Sequence, residues 1–393
     1  MDVAAYKGVE RLAVGVGEFD RVLGGGIVPG SVILLGGDPG IGKSTLLLQL
    51  TAALAQRVPG LYISGEESLE QIGMRAERLG LGPEGIRCLA ETSVEQILGH
   101  AEHEKPQLMI VDSIQTVYSE NLSSAPGSVS QIRESAAALV RWAKLNRCCI
   151  VLVGHVTKEG ALAGPRVLEH MVDTVLYFES DAGSRYRVVR AVKNRFGAVN
   201  ELGMFAMTGK GLKEVRNPSA IFLSGHDEPV SGSVVTVVRE GTRPILLEVQ
   251  ALVDESHLNN PRRVALGLEY NRLSMMLAVL HRQGGVALAD HDVFINVVGG
   301  MRVSETAADL PMALALYSSF RDRPLSEKMV CFGEVGLSGE IRPVPDGEQR
   351  LREAAGHGYT TALVPAANRP RKVPAGLDVI GLGHISGALE KVV

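Results

Sequence analysis

Cysteine is scarce in this chain: its 393 residues include four, and none of their spacings is typical of metal ligands. They are Cys88, Cys148, Cys149 and Cys331. The adjacent pair Cys148 and Cys149 lies in an apolar run, where cysteine usually packs as a small hydrophobic side chain. This pattern argues against a disulfide framework and favours a reducing compartment, so we expect a cytoplasmic protein.

Long apolar runs, aromatic residues and a strong net charge are lacking as well. No apolar run reaches the roughly 18 residues of a membrane-spanning helix. The first residues do not resemble a signal peptide, so we expect no membrane contact. The formal net charge of −4 gives no general attraction to nucleic acid, so DNA contact would need a local basic surface. Aromatic residues make up only 4% of the chain and offer few platforms on which bases could stack.

The first half of the chain contains an alternation of short apolar strands with helices. This alternation predicts an α/β fold with a mainly parallel sheet that is covered on both faces. From residue 186 onward the strands follow each other closely, which predicts antiparallel hairpins at one edge. The predicted strands are 31–37, 61–64, 86–89, 108–112, 149–153 and 174–178, and the predicted helices are 43–56, 69–79, 94–104 and 129–145.

The second half of the chain has a different order of elements. Residues 223–233 are rich in turn-forming residues and predict a linker. A hairpin over 234–251, a helix near 274–283, a strand at 293–298, a helix near 307–320 and a second hairpin over 330–344 follow. This order predicts a separate α+β domain. We therefore divide the chain into residues 1–225 and residues 226–393.

The strongest motif lies between the first predicted strand and the first predicted helix. It matches G-x-x-x-x-G-K-[ST] in the strand–loop–helix context of a phosphate-binding loop, or P-loop. Backbone N–H groups of such a loop surround phosphate oxygens, Lys43 would reach the β- and γ-phosphates, and Ser44 would ligate Mg²⁺. The sequence therefore predicts ATP and Mg²⁺ as ligands. The predicted nucleotide-binding residues are Gly37, Asp38, Pro39, Gly40, Ile41, Gly42, Lys43, Ser44 and Thr45.

Further polar residues follow the ends of other predicted strands. Asp112 is the expected second Mg²⁺ ligand, although strands also end in aspartate for turn chemistry alone. Glu66 and Glu67 follow the strand at 61–64, where a carboxylate can orient a water molecule. We favour Glu66 as the general base and keep Glu67 as the alternative; both could instead be solvated residues at a helix start. His155 follows the strand at 149–153 and could sense the γ-phosphate.

Six stretches of the sequence resemble the bacterial RadA/Sms family of DNA repair proteins. The resemblance extends from about residue 8 to the C-terminus, and the pentapeptide 193–197 is its most specific part. It implies a RecA-like ATPase that forms hexameric rings, is stimulated by single-stranded or branched DNA, and promotes branch migration alongside RecA. The six stretches are residues 14–26, 37–44, 64–68, 111–116, 153–160 and 193–197.

The pentapeptide contains two cations, Lys193 and Arg195, which follow a strand that we place at the far edge of the sheet. By similarity to RecA-like ring motors, Arg195 is an arginine finger that acts on the ATP of a neighbouring subunit, with Lys193 as its partner. From the residues alone, the two cations could equally form a solvated basic edge that discourages aggregation.

The candidate DNA-binding segment is the glycine-rich loop at 157–166, which carries Lys158 and Arg166. A ring of such loops would follow a phosphate backbone without reading the base sequence. A second basic face would alternate along the strand that contains Arg185, Arg187 and Arg190.

The C-terminal domain resembles the proteolytic domain of Lon, which uses a serine nucleophile activated by a lysine. This chain reads Ala307 where Lon has its serine, and a gap-free match places Glu348 at the lysine position. We therefore expect a scaffold without proteolytic activity; Arg262 and Arg263 could belong to a DNA-facing surface or be merely solvated. The family usually carries an N-terminal four-cysteine zinc module, which this sequence does not include.

Two other functions remain open at this point. One is an ATP-dependent protease, against which the missing serine and lysine count. The other is a RecA-like ATP switch that signals through protein partners and never touches DNA. Salt-dependent binding of single strands separates the switch from a DNA motor, because neutralising phosphates makes affinity fall steeply with salt.

Overall fold

The computed structural model describes residues 10–55, 57–82, 86–155, 166–180, 185–223, 228–257 and 260–392. The chain divides into two compact units, which are separated between Arg216 and Asn217. The boundary expected from the sequence, between residues 225 and 226, lies slightly later. Residues 217–223 belong to the second unit because they bind its sheet: the N–H of Leu246 donates to Ser219 Oγ, and the N–H of Glu248 donates to the carbonyl of Phe222.

The described part of the first unit contains a sheet with the strand order β3-β2-β4-β5-β1-β6-β7-β8-β9. The strands from β3 to β6 are parallel, and the pairs β6–β7, β7–β8 and β8–β9 are antiparallel. The predicted α/β fold with an antiparallel edge is thereby confirmed. The strands are β1 Val32–Gly37, β2 Gly60–Ser64, β3 Arg87–Ala90, β4 Leu108–Asp112, β5 Cys149–His155, β6 Thr174–Glu179, β7 Tyr186–Asn194, β8 Leu202–Thr208 and β9 Gly211–Glu214.

Helices cover both faces of this sheet, and β1 shows why its sequence is apolar without alternation. Ile33 and Leu35 pack into one buried cluster with α2, while Val32 and Leu34 pack into another with α4 and α5. A strand that is buried on both faces needs apolar residues at every position. The helices are α1 Gly17–Leu23, α2 Lys43–Ala55, α3 Leu69–Arg78, α4 Val94–Glu104, α5 Val129–Asn146 and α6 Arg166–Met171.

Serines begin three of these helices at the positions where the sequence predicts helix starts. The side chains of Ser68, Ser93 and Ser128 each accept a hydrogen bond from the backbone N–H three residues later. At α3 the Gln71 side chain also accepts from the N–H of Ser68, which completes a capping box. No helix in the described parts of the chain is both long enough and apolar enough to cross a membrane.

The described part of the second unit contains a mixed sheet with the order β12-β13-β11-β10-β14-β17-β18 and a separate two-stranded ribbon, β15–β16. The strands are β10 Ser233–Glu240, β11 Arg243–Glu255, β12 Arg263–Leu266, β13 His291–Val297, β14 Met329–Cys331, β15 Glu334–Val335, β16 Ile341–Arg342, β17 Thr361–Pro365 and β18 Asp378–Leu382. The helices are α7 Tyr270–Gly284, α8 Asp309–Arg321, α9 Gly347–Gly356 and α10 Ile385–Glu390.

The second unit confirms the α+β class but corrects one predicted hairpin. Residues 330–344 do not form a single hairpin, because β14 pairs in parallel with β10 and β17 inside the main sheet. Within residues 330–344, the antiparallel pair is the short ribbon of β15 and β16. Apolar strands that are short and close together do not reveal which neighbour each one pairs with.

Candidate nucleotide-binding site

The P-loop joins the C-terminal end of β1 to the first turn of α2, in the middle of the sheet between β5 and β6. Gly40 and Gly42 have φ angles of 76° and 116°, which other residues rarely adopt. A Cβ atom at Gly42 would also lie 2.8 Å from the methyl carbon Cε of Met207. These two glycines therefore allow the chain to turn tightly over the helix start, as a phosphate-binding loop requires.

The Lys43 side chain lies within this loop and is buried. Its ammonium donates to the carbonyl of Gly37 at 2.8 Å and to that of Asp38 at 2.9 Å. Burial lowers the pKa of Lys43, although the charges of Asp112, Glu66 and Asp38 act against this change. The amine is therefore held at the loop centre, where a phosphate group can replace the carbonyls as its acceptor.

A chain of polar contacts joins Lys43 to the predicted general base. Its ammonium lies 3.3 Å from His155 Nδ1, and His155 Nε2 lies 3.1 Å from Glu66 Oε1. The Ser113 hydroxyl donates to the same glutamate oxygen. Burial raises the pKa of Glu66, but hydrogen bonds from Ser113 and His155 and the charge of Lys43 outweigh it, so the pKa lies below its ordinary value. Glu66 is consequently a charged acceptor at neutral pH.

Glu67 is engaged in a different set of contacts. Its carboxylate forms an ion pair with Arg75 on α3. Its backbone N–H and carbonyl both bind the Ser64 hydroxyl, at 2.9 and 2.8 Å. Of the two candidate bases, only Glu66 is brought to the P-loop lysine.

The candidate Mg²⁺ ligands come from β4 and α2. Asp112 ends β4, is nearly buried, and accepts a hydrogen bond of 2.6 Å from the Tyr62 hydroxyl through Oδ2. Burial and the Asp112 charge raise the pKa of Tyr62, which therefore stays a donor. Ser44 lies half-buried in the first turn of α2. A carboxylate and a hydroxyl beside a phosphate loop are oxygen donors of the kind that suits Mg²⁺ bound with phosphates.

Arg187 is a site residue that sequence reasoning assigned elsewhere. It was placed in a basic face for DNA, yet its Nε donates to the carbonyl of Ile41 in the P-loop at 3.1 Å. Arg190 on the same strand pairs with Glu179 at 3.2 Å. Both guanidiniums therefore bind their own chain, and the basic face stays a prediction.

Lys193 and Arg195 lie at the opposite end of the sheet from the P-loop. Lys193 pairs with Val175 at the start of β6, whereas Gly37 of the P-loop strand pairs with Phe178 near its end. Their strand is not the predicted edge, because β8 and β9 continue the sheet beyond β7. The sequence predicts closely spaced strands after residue 186, but it does not show which of them lies outermost in the sheet.

The structure describes the two protease-like positions, Ala307 and Glu348, but not the candidate DNA-binding side chains. Lys158 and the side chain of Arg166 lie outside the described residues, so they stay predictions. Ala307 is buried. Glu348 is exposed and pairs with Arg352 at 3.1 Å, and the buried cation of the same helix is Arg350.

Of the predicted basic pair Arg262–Arg263, the second is bound by its own chain. The Arg263 guanidinium donates to the carbonyl of Leu288 at 2.8 Å and to that of His291. The backbone N–H of Arg262 donates to Asp292 at 2.7 Å, and its own carbonyl accepts from Arg263. Arg263 is therefore a structural side chain rather than part of an open basic surface.

Comparison with known proteins gives matches over both units. Residues 18–161 match the profile of an AAA domain family, and residues 272–368 match that of the ChlI subunit of Mg-chelatase. The DNA repair protein RadA of Pseudomonas aeruginosa is 62% identical over 97% of this chain and 84% of that protein. The RadA proteins of Escherichia coli and Bacillus subtilis are 61% and 50% identical, again over 97% of this chain and over 83% of each relative.

Proposed function

The chain belongs to the RadA family of DNA repair proteins, and from this premise we propose that it is a DNA-stimulated ATPase that moves recombination intermediates. The observation that carries the proposal is the contact chain from Lys43 through His155 to Glu66 beside the glycine loop. It provides a phosphate-binding cation and a charged base on the same side of the sheet.

Hydrolysis needs a water molecule to be oriented toward the γ-phosphate while the developing charge is neutralised. Glu66 accepts the water's proton or orients it, and Ser113 and His155 hold the carboxylate in place. Lys43 binds the β- and γ-phosphates, and the backbone N–H groups of residues 40–45 surround them. Ser44 and Asp112 would hold Mg²⁺, which when bound adds positive charge next to the phosphates.

His155 connects the γ-phosphate to the next segment of the chain. It is the last residue of β5, so it stands between the nucleotide and the loop that carries Lys158. If the contact between His155 and Glu66 changes on hydrolysis, this loop is the first segment whose position would change with it. We assign the loop, with Lys158 and Arg166, to sequence-independent contact with single-stranded or branched DNA.

Arg195 acts on a neighbouring subunit rather than on its own ATP. It lies at the end of the sheet opposite to its own P-loop, and its side chain is about half exposed. A homo-oligomeric ring, by family resemblance a hexamer, would bring this end of one subunit to the P-loop end of the next. In this arrangement Arg195 is the finger that completes ATP cleavage, and the motor works in the cytoplasm alongside RecA.

The test is the ATP hydrolysis rate with and without single-stranded DNA, measured together with oligomer size. Stimulation by DNA that weakens steeply as salt rises supports the motor, because displaced counterions drive binding to phosphates. Turnover without any DNA binding at low salt would instead support a switch that signals through protein partners.

A mixing experiment tests the finger. Arg195→Ala subunits should bind ATP but hydrolyse it slowly, and adding Lys43→Ala subunits should restore part of the turnover. The Lys43→Ala subunits supply intact fingers to intact P-loops. An absence of restoration in oligomers shown to be mixed would contradict action between subunits.

A further inference from the structure

The segment between α6 and β6 contains a buried carboxylate for which the proposed chemistry gives no role. Asp173 directly precedes β6, and it is 5% exposed. Its Oδ2 accepts from the backbone N–H of Val32 at 3.1 Å, and its Oδ1 accepts from Arg195 Nη1 at 3.1 Å. One side chain thus joins the start of the P-loop strand to the candidate finger.

The backbone of Asp173 strengthens both connections. Its N–H donates to the carbonyl of Val32 at 2.9 Å, and its carbonyl accepts from the N–H of Arg195 at 3.1 Å. Asp173 is therefore tied to each partner twice, once by the main chain and once by the carboxylate. The position of the carboxylate is set by the sheet, and it does not depend on the rotamer of an exposed side chain.

The charge of this carboxylate is explained by the arginine. Burying an ionised carboxylate is costly unless it is paired and hydrogen-bonded. The Val32 N–H alone needs only a neutral acceptor, which asparagine would provide. What an aspartate adds is negative charge: it forms the ion pair with the Arg195 guanidinium, and it also acts on the nearby ammonium of Lys193.

Arg195 keeps most of its donors available after this pairing. A guanidinium has five N–H donors, and within the residues that the structure describes the Arg195 side chain forms a hydrogen bond through Nη1 only. Its side chain is 51% exposed, against 7% for that of Asp173. The buried carboxylate therefore holds the guanidinium at Nη1, while the rest of this half-exposed group remains available to a partner.

The neighbouring cation Lys193 has a different task. Its ammonium donates to the carbonyls of Glu169 and Val172, at 2.6 and 2.9 Å, at the C-terminal end of α6. Next to it, the Asn194 side chain is buried and binds the Phe196 N–H at 2.9 Å. Both residues are anchored to their own subunit, and of the two cations Arg195 is the one whose residue is exposed.

We propose that Asp173 is a positioning residue that holds Arg195 aimed at the ATP of a second copy of this chain. The inference rests on the proposed function, in which Arg195 completes the neighbour's site. An arginine whose rotamers are already restricted loses less freedom when it meets the phosphate, so orientation is gained before the neighbour arrives.

The decisive variant is Asp173→Asn. Its amide oxygen can still accept from Val32, but its NH₂ group would face Nη1, donor against donor, so Arg195 is released while the sheet contact stays. We expect kcat for ATP to fall about tenfold to a hundredfold, with KM changed by less than about twofold, because the neighbour's finger acts in the transition state. In the Arg195→Ala background the same change should lower kcat no further.

The matched control is Asp309→Asn in the second unit. Asp309 is also buried, also pairs with an arginine, Arg272, and also accepts from a backbone N–H, that of Val335 at 3.1 Å. This variant removes the same kind of contact away from any finger. We expect it to lower the melting temperature while kcat per folded oligomer stays unchanged.

The outcomes separate this inference from the proposal beneath it. If Arg195→Ala lowers kcat and Asp173→Asn does not, or if the two losses multiply in the double variant, Asp173 has no positioning role and the finger assignment survives. If Arg195→Ala leaves turnover intact, both are overturned. Should Asp173→Asn not fold, Asp173→Glu is used instead, because it keeps the charge but moves it by one methylene. A kcat equal to that of the wild type, together with the usual fall in kcat when Arg195→Ala is added, would count against positioning.

Discussion

Each unit contains a cluster of charged side chains, and the two clusters use their hydrogen bonds in opposite ways. In the P-loop cluster, Lys43 donates to two loop carbonyls and contacts His155, which reaches Glu66. Glu66 is about half exposed, with a side-chain exposure of 42%. The contacts of this cluster are ones that a phosphate and a water molecule can replace.

The second cluster consists of Arg239, Glu305, Asp346 and Arg350. The Arg350 side chain is 1% exposed, and it binds both oxygens of Glu305, at 2.8 and 2.7 Å. Two of its three remaining donors reach the carbonyls of Val237 at 2.6 Å and Pro345 at 3.0 Å. A guanidinium surrounded in this way joins β10 to α9 and has no donor directed at solvent.

The difference shows that buried charge alone does not indicate a ligand site. The P-loop cluster lies beside a glycine-rich loop, and its polar groups remain accessible to a ligand. The second cluster includes Glu305, two residues before Ala307 in the unit that resembles a protease, and its cations pair with its carboxylates. The following changes test this contrast, in order of their expected effect on ATP turnover.

Lys43→Ala should have the largest effect. Without the ammonium, no other described side chain replaces the cation at the phosphates, and hydrolysis should fall to background. The fold should survive, because Asp38, one of the two residues whose carbonyls lose this donor, is exposed to water. Rates of phosphate release measure the loss of hydrolysis. Thermal unfolding curves of the same samples show whether the fold survives. Retained turnover would remove the P-loop assignment.

Glu66→Gln should have the next largest effect on ATP turnover, and Glu67→Gln is its matched control. Removing a general base typically lowers the rate about 10²- to 10⁴-fold, whereas ATP affinity should change little. Glu67 pairs with Arg75 instead, so its variant should keep most of the activity. Single-turnover rates and nucleotide binding distinguish the two. Equal losses for both variants would contradict the assignment of Glu66, rather than Glu67, as the base.

The pH dependence of kcat follows from the same contacts. Hydrogen bonds from Ser113 and His155, together with the Lys43 charge, outweigh burial and hold the pKa of Glu66 below its ordinary value. The charged base is therefore retained as the pH falls and is lost only below the usual glutamate range. A wild-type profile with an acidic limb at lower pH than that of Ser113→Ala would agree with this. An unchanged limb would show that another group titrates.

The sequence predicted those parts of the site that are local in the chain. The P-loop, the helix starts at Ser68 and Ser128, and the buried strand β1 each depend on neighbouring residues, and periodicity and motif were sufficient for them. The structure was needed to choose between Glu66 and Glu67, since the two differ only in which way each side chain turns after β2.

Contacts between distant residues could not be predicted from the sequence. Arg187 binds Ile41 across 146 positions, and Asp173 binds Val32 across 141. Arg187 belongs to a strand whose alternating cations resemble a DNA-binding face, and nothing local shows that the P-loop lies beside it. The interior place of β7 was missed for a similar reason: strand order depends on pairing, which composition does not report.

Arg350→Met should have the smallest effect on ATP turnover and a large one on the second unit. Methionine fills a similar apolar volume but leaves Glu305 without its buried partner, and breaking such a pair typically costs about 3–5 kcal/mol.

Arg352→Met is the control on the same helix: its pair with Glu348 is exposed, with side-chain exposures of 68% and 64%, and surface pairs contribute at most about 1 kcal/mol. Denaturant unfolding followed by a probe in the second unit measures both. ATP affinity of the folded protein should be the same in all three proteins, because both arginines belong to the second unit and the P-loop cluster belongs to the first. A loss of ATP affinity in Arg350→Met with the second unit still folded would show that the two clusters are coupled, and the contrast between a ligand site and a structural ion pair would no longer hold.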